Sequence, residues 1–313
     1  MVVRDYTYKI CISLLLTLLR VLERENKPIF HSASTKNNKE KTETMNLFDY
    51  HLHTRHSFDG QMTVSTLCDA AIQKGLSEIC IADHTEFGHP SPSSDVPPNI
   101  EEWSKEIDIA RQEYPAIVIR KGIEIGDNPL CRDRIKKWHL ALDVDFLLLS
   151  LHLVQNQDPY WPEFFDGRSM DAAYQKYVEA KLESVLAWNK DEYDALAHLG
   201  YCAKFSPYPI EQRPLRRHHA PDLFDQILRV LVYNGKPLEI NTSGIRSMRE
   251  SIPGKELLIR FHELGGEFVT IGSDAHHPNN VGFWIAEAQQ LAVACGFRYQ
   301  ATFENRRMKP VSL

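Results

Sequence analysis

The stretch LFDYHLH, residues 47–53, combines the composition of a β-strand with two histidines separated by one residue. Side chains at positions i and i+2 of a strand point to the same face. His51 and His53 would therefore project side by side, and two imidazoles on one face can bind one metal ion. Two surface histidines on an alternating strand would give the same pattern, so this motif alone leaves both interpretations open.

The chain around this stretch alternates strand-like and helix-like segments. Short apolar runs rich in branched residues predict strands at 47–53, 78–84, 116–125, 144–154, 193–199, 236–243 and 267–276. Longer amphipathic segments predict helices near 63–75, 99–113, 131–142, 169–190, 220–234, 254–265 and 282–296. This alternation indicates an α/β fold with a parallel sheet. We expect a distorted (β/α)7 TIM-like barrel rather than an open doubly wound sheet, because no glycine-rich dinucleotide turn follows the first strand.

Composition narrows the class of protein. The chain has 313 residues, 43% of them hydrophobic and 25% charged, which is typical of a soluble globular protein. The net charge of −6 argues against a nucleic-acid-binding surface, which normally needs a basic footprint. The six cysteines form no C-x-x-C pair, so zinc fingers and redox motifs are excluded and reduced thiols in a cytoplasmic protein are expected.

Residues 1–44 differ from the rest of the chain. They contain the apolar run ICISLLLTLL (10–19), which is shorter than the ~20 residues that span a bilayer, and a polar stretch (31–44) typical of a linker. We expect a disordered leader or a start codon assigned too far upstream; a helical appendage and a weak membrane or export signal are the alternatives. Residues 45–313 are expected to form one domain without stable membrane association.

Acidic residues and histidines lie near the carboxyl ends of the predicted strands. In a parallel barrel these ends meet at one rim, where functional sites are built. A single such residue is more often structural, but a converging set of buried imidazoles and carboxylates is costly unless something pairs with it. Divalent Zn, Mn or Fe suits these ligands. The residues are His51, His53, Asp83, His84, Glu124, His152, His198, Asp274 and His276.

The ordered motifs HLHT…DG, ADH, GIE, LSLH, AHLG and GSDAHHP, over about residues 46–305, resemble the PHP superfamily, named for polymerase and histidinol phosphatase. The resemblance implies a distorted seven-stranded barrel with two or three divalent metal ions at its carboxyl rim. It implies metal ligands at His51, His53, Asp59, His84, Glu124, His152, His198, Asp274 and His276, with Glu124 bridging two ions. Many relatives carry histidine where this chain has Asp59, and His56 is the competing candidate for that role.

Three segments resemble the histidinol-phosphatase branch: LEINTSGIR (238–246), the insertion PYWPEFFDGRSMDAAYQKYVEAKL (159–182) and IGSDAHHPNNVG (271–282). This resemblance implies hydrolysis of L-histidinol phosphate in histidine biosynthesis, with a metal-bridging hydroxide as nucleophile and Glu124, Asp274 and His276 as catalytic residues. The expected partner is a small phosphate ester. Clustered metal ions suit this chemistry because they acidify water and hold phosphoryl oxygens.

Phosphate binding calls for arginine, whose planar fork matches it. The candidates lie in loops on the expected rim and are Arg246, Arg168, Arg213, Arg216 and Arg217. Asp49 and Asp83 are candidates for orienting imidazoles, or for accepting backbone N–H groups instead. The aromatic loop PYWPEFF (159–165) is expected to wall the organic half of the substrate, or to form a packed lid without contacting it.

Other functions remain open at this point. A PHP phosphoesterase acting on nucleotides or other small phosphate esters would show the same motifs. A non-catalytic metal-binding PHP module would be expected to have lost ligands, whereas all nine expected positions hold competent ones. An amidohydrolase barrel would usually carry a bridging lysine at a strand end, and none of the predicted strand ends has one.

Overall fold

The computed structural model describes residues 46–91, 94–95 and 97–313. The predictions for residues 1–44 lie outside the described residues. Over the described part of the chain, none of the helices combines the length and apolar character needed to cross a membrane.

The strands of the described residues form one sheet, ordered along the chain from β1 to β9. All neighbouring strands are parallel except β8 and β9, which form an antiparallel hairpin. The bounds are β1 Leu47–Leu52, β2 Leu76–Thr85, β3 Val118–Gly126, β4 Phe146–Ser150, β5 Ala195–Leu196, β6 Leu238–Asn241, β7 Phe268–Gly272, β8 Tyr299–Glu304 and β9 Arg307–Ser312.

Helices follow the strands as the sequence predicts. Their bounds are α1 Val64–Gln73, α2 Ile100–Glu113, α3 Arg132–His139, α4 Met170–Ala187, α5 Tyr201–Lys204, α6 Pro221–Asn234, α7 Ser243–Met248, α8 Lys255–Glu263 and α9 Ile285–Ala294. Single 3₁₀ turns lie at Pro162–Phe164, Arg217–His219 and Pro278–Asn280. The short helices α5 and α7 and the hairpin β8–β9 were not predicted. The predicted α/β fold with a mostly parallel sheet is confirmed.

The closed (β/α)7 barrel is not confirmed, because the sheet does not close. A closed barrel would need β1 to pair with the free edge of β7. The first residues of that edge, Phe268 and Val269, pair with β8 instead. Beyond this point β1 meets the segment that follows β7, through an isolated parallel bridge between Leu52 and Ala275 and a hydrogen bond from the Asp274 N–H to the His51 carbonyl, 2.8 Å.

Two apolar clusters hold the sheet in place. The larger packs the helices against the outer side of the strands and includes the fully buried Trp103. The smaller packs Phe48, Tyr50 and Phe146 against Phe303 of the hairpin. The hairpin thus contacts early residues of β1 and β4 and leaves their carboxyl ends for the site.

Candidate metal centre

The carboxyl ends of the strands bring the predicted ligands together. His51 lies in β1, His84 in β2 and Glu124 in β3. His152 and His198 each lie two residues beyond the last residue of β4 and β5. These residues are all buried, as are His53, after β1, and Asp274, after β7.

Glu124 lies at the centre of the cluster. Its Oε2 is 3.1 Å from His51 Nε2 and 2.9 Å from His84 Nδ1. Its Oε1 is 3.2 Å from His152 Nε2 and 2.8 Å from His198 Nε2. His53 Nε2 also lies 3.5 Å from Oε2. One carboxylate therefore faces five imidazoles, three on Oε2 and two on Oε1, and a ligand that bridges two ions needs both oxygens engaged in this way.

Asp274 forms the second focus of the cluster. Its Oδ1 is 3.5 Å from His53 Nε2 and 3.5 Å from His276 Nδ1, and its Oδ2 is 2.9 Å from Lys204 Nζ. The Ser243 hydroxyl also donates to Oδ2, at 3.1 Å. Asp274 has a φ of 53°, a left-handed backbone conformation that few residues adopt without a local constraint.

Asp59 lies at the outer edge of the cluster. Its Oδ2 is 3.1 Å from His276 Nε2, and its Oδ1 is 3.7 Å from His84 Nε2. The competing candidate His56 instead places its Nε2 2.7 Å from Glu106 Oε2. The structure thus groups Asp59, rather than His56, with the other predicted ligands.

Three ligand imidazoles have their Nδ1 atoms held by neighbours. His51 Nδ1 lies 2.6 Å from Glu239 Oε1, and His152 Nδ1 lies 2.6 Å from Glu86 Oε1. His53 Nδ1 lies 3.2 Å from the hydroxyl of Ser57. These contacts place the ring proton on Nδ1 and leave the Nε2 lone pair facing the centre of the cluster.

Several buried polar atoms of the cluster have no hydrogen-bond partner, and this bears on whether the cluster suits metal ions. Among the described residues, His51 Nε2, His53 Nε2, His84 Nδ1 and Glu124 Oε2 are buried without a hydrogen-bond partner. Such atoms are costly unless something coordinates them. Four groups bring three potential ligand atoms within 4.8 Å of one another: His53, His84 and His276; His51, His53 and Asp274; His51, Glu124 and His198; and His84, Glu86 and His152. Imidazole and carboxylate donors at this spacing fit divalent transition metals.

The imidazoles of the cluster fall into two electrostatic groups. Burial lowers the pKa of His51, His84 and His152, but Glu124 outweighs it and raises the pKa of His84 to about 9 and those of His51 and His152 well above the ordinary value. A metal ion bound to these three would displace their protons. Burial opposes the charge of Glu124, but the imidazoles of His51 and His84 hold its pKa well below the ordinary value. Burial lowers the pKa of His198 to about 4 and, together with nearby imidazoles, that of His53 well below its usual range. An ionised carboxylate and neutral imidazoles are the forms that bind a metal.

The residues that orient imidazoles differ from those predicted. Glu239 and Glu86 were not identified from the sequence, and the predicted Asp49 and Asp83 do not contact imidazoles. Asp49 accepts backbone N–H groups from Ser273 at 2.8 Å and from Gly282 at 3.0 Å. Asp83 acts on a ligand through Ser57, whose hydroxyl donates to Asp83 Oδ1 at 2.6 Å and also faces His53. The alternative prediction, a carboxylate accepting backbone N–H groups, describes Asp49 and also Asp83, which accepts the Thr54 N–H at 2.6 Å.

The predicted phosphate-binding arginines lie outside the cavity over the cluster. Arg168 donates to the carbonyl of Phe164, and Arg213 Nε donates to the carbonyl of Tyr208 at 2.8 Å. Arg216 and Arg217 form ion pairs on helix-connecting segments. The Arg246 guanidinium lies 5.2 Å from the ring of Phe283, and burial lowers its pKa.

A cavity of about 280 Å³ opens over the cluster. One end is lined by Glu124, Asp274, His276 and Lys204, the last of which the sequence did not single out. The other end is lined by aromatic side chains, among them Tyr160 and Trp161 of the predicted aromatic loop. A lysine beside metal ligands suits an anionic group, and aromatic walls suit an organic one.

Comparisons with known proteins agree with this geometry. The model of the PHP domain matches residues 49–243. The histidinol-phosphatase of Lactococcus lactis is 30% identical over 266 residues, which cover 84% of this chain and 97% of that protein. The "Probable histidinol-phosphatase" of Clostridium acetobutylicum is 28% identical, over 84% of this chain and 99% of that protein. The crystal structure of histidinol phosphate phosphatase from Lactococcus lactis, complexed with zinc, L-histidinol and phosphate, superposes with a TM-score of 0.76 at 28% identity and covers 84% of this chain and 99% of that chain.

Proposed function

The chain belongs to the PHP domain family, and we propose that it is a metal-dependent phosphomonoesterase that hydrolyses L-histidinol phosphate to L-histidinol and phosphate. The observation that carries this proposal is the cluster in which Glu124 faces five imidazoles at the carboxyl ends of the strands. The relatives that match nearly their whole length are histidinol-phosphatases, which supports the substrate. The cavity joins this cluster to an aromatic wall, as a phosphate ester of an organic alcohol requires.

The proposed ligands are the nine residues of the cluster, holding two or three divalent ions of zinc, manganese or iron. They are His51, His53, Asp59, His84, Glu124, His152, His198, Asp274 and His276. When bound, such ions would supply a water that ionises near neutral pH and positive charge for the phosphoryl oxygens. The protein itself fixes the imidazoles through Glu239, Glu86 and Ser57, so that their Nε2 atoms need no reorganisation.

We assign the remaining catalytic work to residues that face the cavity. Lys204 Nζ, beside Asp274 Oδ2, places a positive charge where the phosphate would lie. Arg246, which does not line the cavity, stays a proposed phosphate contact, because it lies on the helix that follows β6 and the charge of Asp274 raises its pKa against burial. Glu124 and Asp274 keep their charge and hold the imidazoles in place, and the side chain of His276, 25% exposed, lines the cavity.

Two further proposals concern the fold and the compartment. We propose that β1 to β7 form the distorted barrel of the family, which the bridge between Leu52 and Ala275 and the hydrogen bond from His53 N–H to the Ala275 carbonyl, 3.0 Å, support. We also propose a cytoplasmic enzyme, since the cysteines among the described residues are free thiols and most of them are buried.

The test is phosphate release by the purified, zinc- or manganese-loaded protein. L-histidinol phosphate is compared with a panel of nucleotide and sugar monophosphates. We expect a kcat/KM of about 10⁴ M⁻¹s⁻¹ or more for L-histidinol phosphate alone. Comparable activity across the panel would keep a PHP phosphoesterase and reject this substrate.

A matched pair of variants ties the activity to the cluster. Glu124→Gln keeps the shape of the side chain but removes the charge that faces the imidazoles, and we expect kcat to fall by about 10³-fold or more. Glu179→Gln changes an exposed glutamate of α4 and should leave activity unchanged. No activity in the fully loaded wild-type protein would instead favour a non-catalytic metal-binding module.

A further inference from the structure

The carboxylates that line the cavity differ in what balances their charge. Glu124, Glu86 and Asp59 face imidazoles of the cluster, and Asp274 also pairs with Lys204. Asp158 lies at the aromatic end of the cavity and has neither kind of partner in the proposed metal site. Its role is therefore not explained by metal binding.

The contacts of Asp158 hold it in place without neutralising it. The backbone N–H of Tyr160 donates to Oδ1 at 2.8 Å, and the hydroxyl of Tyr201 donates to the same oxygen at 3.4 Å. His89 Nε2 lies 3.5 Å from Oδ2. No lysine or arginine of the described residues lies within ion-pair distance of this carboxylate, whose side chain is 11% exposed.

The contacts of His89 orient its ring toward Asp158. The backbone N–H of Ser91 donates to His89 Nδ1 at 3.1 Å, so Nδ1 carries a lone pair. The ring proton then lies on Nε2, which points at Asp158. Asp158 thus faces a ring N–H group rather than a lysine or arginine, and a carboxylate in a confined site is costly unless a cation pairs with it.

The walls around Asp158 suit an organic cation. Tyr201 packs on Phe205 with ring centroids 5.3 Å apart, and Tyr160 packs on the same ring at 4.7 Å and on Trp161 at 4.9 Å. Aromatic faces attract cations and exclude water. A positively charged nitrogen bound here would meet both a carboxylate and π-electron density.

One tyrosine side chain links this site to the metal cluster. The ring of Tyr201 lies 4.8 Å from that of His152 and 5.3 Å from that of His198, while its hydroxyl reaches Asp158. A ligand that places a phosphate at the cluster would therefore place a nitrogen near Asp158 if only a few bonds separated the two. In L-histidinol phosphate, the amino group is on the carbon next to the phosphorylated one.

We propose that Asp158, with the aromatic rings of Tyr201 and Phe205, binds the protonated amino group of the substrate. This proposal rests on the proposed function and adds a specificity-determining residue to it. An enzyme with this subsite selects phosphate monoesters of β-amino alcohols over esters of the same size that lack the amine.

The test compares two proteins on three substrates. Wild-type protein and Asp158→Asn are assayed with L-histidinol phosphate, with its deamino analogue 3-(imidazol-4-yl)propyl phosphate, and with 2-aminopropyl phosphate, which lacks the imidazole. Asparagine keeps an oxygen for the Tyr160 N–H but removes the charge. For the two amine substrates, we expect the substitution to lower kcat/KM by about 10- to 100-fold. For the deamino analogue, we expect it to stay within about twofold.

The outcomes separate the subsite from other roles. An equal loss with the deamino analogue would overturn the proposal, since it would indicate an imidazole contact or a structural role for Asp158. No loss with any substrate would overturn it as well. Glu163→Gln removes a charge from the same loop at an exposed position and should change none of the three values.

A binding measurement keeps the proposal testable if the proposed function fails. If the wild-type protein releases no phosphate from L-histidinol phosphate, calorimetric binding of L-histidinol and of its deamino analogue is compared. L-Histidinol bound about tenfold more weakly by Asp158→Asn, with the analogue unaffected, would support the subsite. Equal binding by both proteins would overturn it. Thermal unfolding of Asp158→Asn in the same buffer checks that the variant is folded.

Discussion

Glu239 positions two ligands of the proposed metal centre at once. Its Oε1 faces His51 Nδ1 at 2.6 Å, and its Oε2 accepts the backbone N–H of His198 at 2.7 Å. The carboxylate is 1% exposed, so water does not replace either contact. Its negative charge raises the electron density on the His51 ring and makes Nε2 a stronger ligand.

We predict that Glu239→Gln weakens metal binding about 10- to 100-fold, because the amide keeps the shape but not the charge. The measurement is a competition titration with a chromogenic chelator, run beside phosphate release. Glu179→Gln, on the surface of α4, is the matched control. Metal affinity within twofold of the wild-type value would contradict this role.

The predicted ligands could be identified from the sequence, but the carboxylates that orient them could not. His51, His84, Glu124 and the others stood out because parallel strands end at a common rim. Glu86 was missed because the second strand was predicted to end at His84, whereas β2 continues to Thr85 and Glu86 follows it directly. Glu239 carries no spacing signal, since only the register of β6 decides which imidazole it meets.

His139 links stability to pH at a position away from the cavity. Its Nδ1 donates to the Ile135 carbonyl at 2.8 Å and its Nε2 faces the Thr85 hydroxyl at 3.1 Å. Burial lowers its pKa to about 3. The unfolded chain binds this proton below pH 6.5 and the folded protein does not, so stability is complete above pH 6.5 and is lost as pH falls toward 3.

We predict that this histidine alone removes about 1–2 kcal/mol of the free energy of unfolding between pH 7 and pH 5. Urea unfolding of His139→Gln should therefore show a shallower pH dependence than the wild-type protein, whatever its absolute stability. His218→Gln replaces an exposed histidine and should keep the wild-type slope. Equal slopes for His139→Gln and the wild-type protein would refute the linkage.

At the scale of elements, strand β7 approaches β1 closely. A Cβ atom on Gly272, the last residue of β7, would lie 2.3 Å from His51 Cβ and 2.8 Å from Glu239 Oε1. Both distances are shorter than nonbonded contacts allow. The glycine lets β7 lie against the strand that carries His51 and His53.

Gly272→Ala is therefore expected to destabilise the protein by about 1–3 kcal/mol and to weaken metal binding through the displaced His51. Thermal unfolding and chelator competition measure the two effects. Thr270→Val, an isosteric change in the same strand at a hydroxyl without a hydrogen-bond partner, should be tolerated. If Gly272→Ala bound metal with wild-type affinity, β1 would have shifted to accommodate the methyl group without displacing the imidazole of His51.

Helix α4 carries an unusual buried lysine on its inner face. Lys181 is fully buried, and among the described residues its Nζ has no hydrogen-bond partner. Burial lowers its pKa to about 8, although Glu124 and Glu239 act in the opposite direction. The unfolded chain binds this proton more tightly between pH 8 and 10.5, so stability rises with pH over that range.

Replacing this lysine with methionine is expected to stabilise the metal-loaded protein by about 1–3 kcal/mol at pH 7, because the chain keeps its packing and loses a buried charge. The advantage of Lys181→Met should shrink as pH approaches 10, where the wild-type lysine is neutral. Lys190→Met, at an exposed position just beyond α4, is the control. Destabilisation of Lys181→Met at pH 7 would mean that its charge is needed to balance the carboxylates.

The sequence predicted the repeating elements better than the irregular ones. Each predicted strand and helix has a counterpart, because period-2 and period-3.6 patterns report burial directly. Strand β5 has two residues instead of seven, since its hydrophobic run continues into the segment that carries His198. The hairpin β8–β9 turns at Asn305 and Arg306, both of which have a positive φ. Such a turn is predicted from short-range turn chemistry, and the alternating β/α pattern does not indicate it.

At the scale of the whole molecule, the fold concentrates charge that only a ligand can balance. Strands from both ends of the described chain meet at the cluster: Asp274 N–H donates to the His51 carbonyl at 2.8 Å. The proposed ligands thus come from segments up to 225 positions apart. Ions bound there would add to the bridge and the backbone hydrogen bonds that join β1 to the segment after β7.

Metal removal should therefore lower the stability of the whole domain, not only its activity. A ligand whose free concentration is 100 times its dissociation constant for the folded state stabilises that state by about 2.7 kcal/mol. Its removal should therefore lower Tm by about 5 to 10 °C. The measurement is calorimetry before and after chelation, then after zinc is restored. Because Glu124→Gln holds the ions more weakly, chelation should change its Tm less. Equal Tm values for the chelated and zinc-restored wild-type protein would mean that the cluster is stable without ions, and its orphaned imidazole nitrogens would then need another partner.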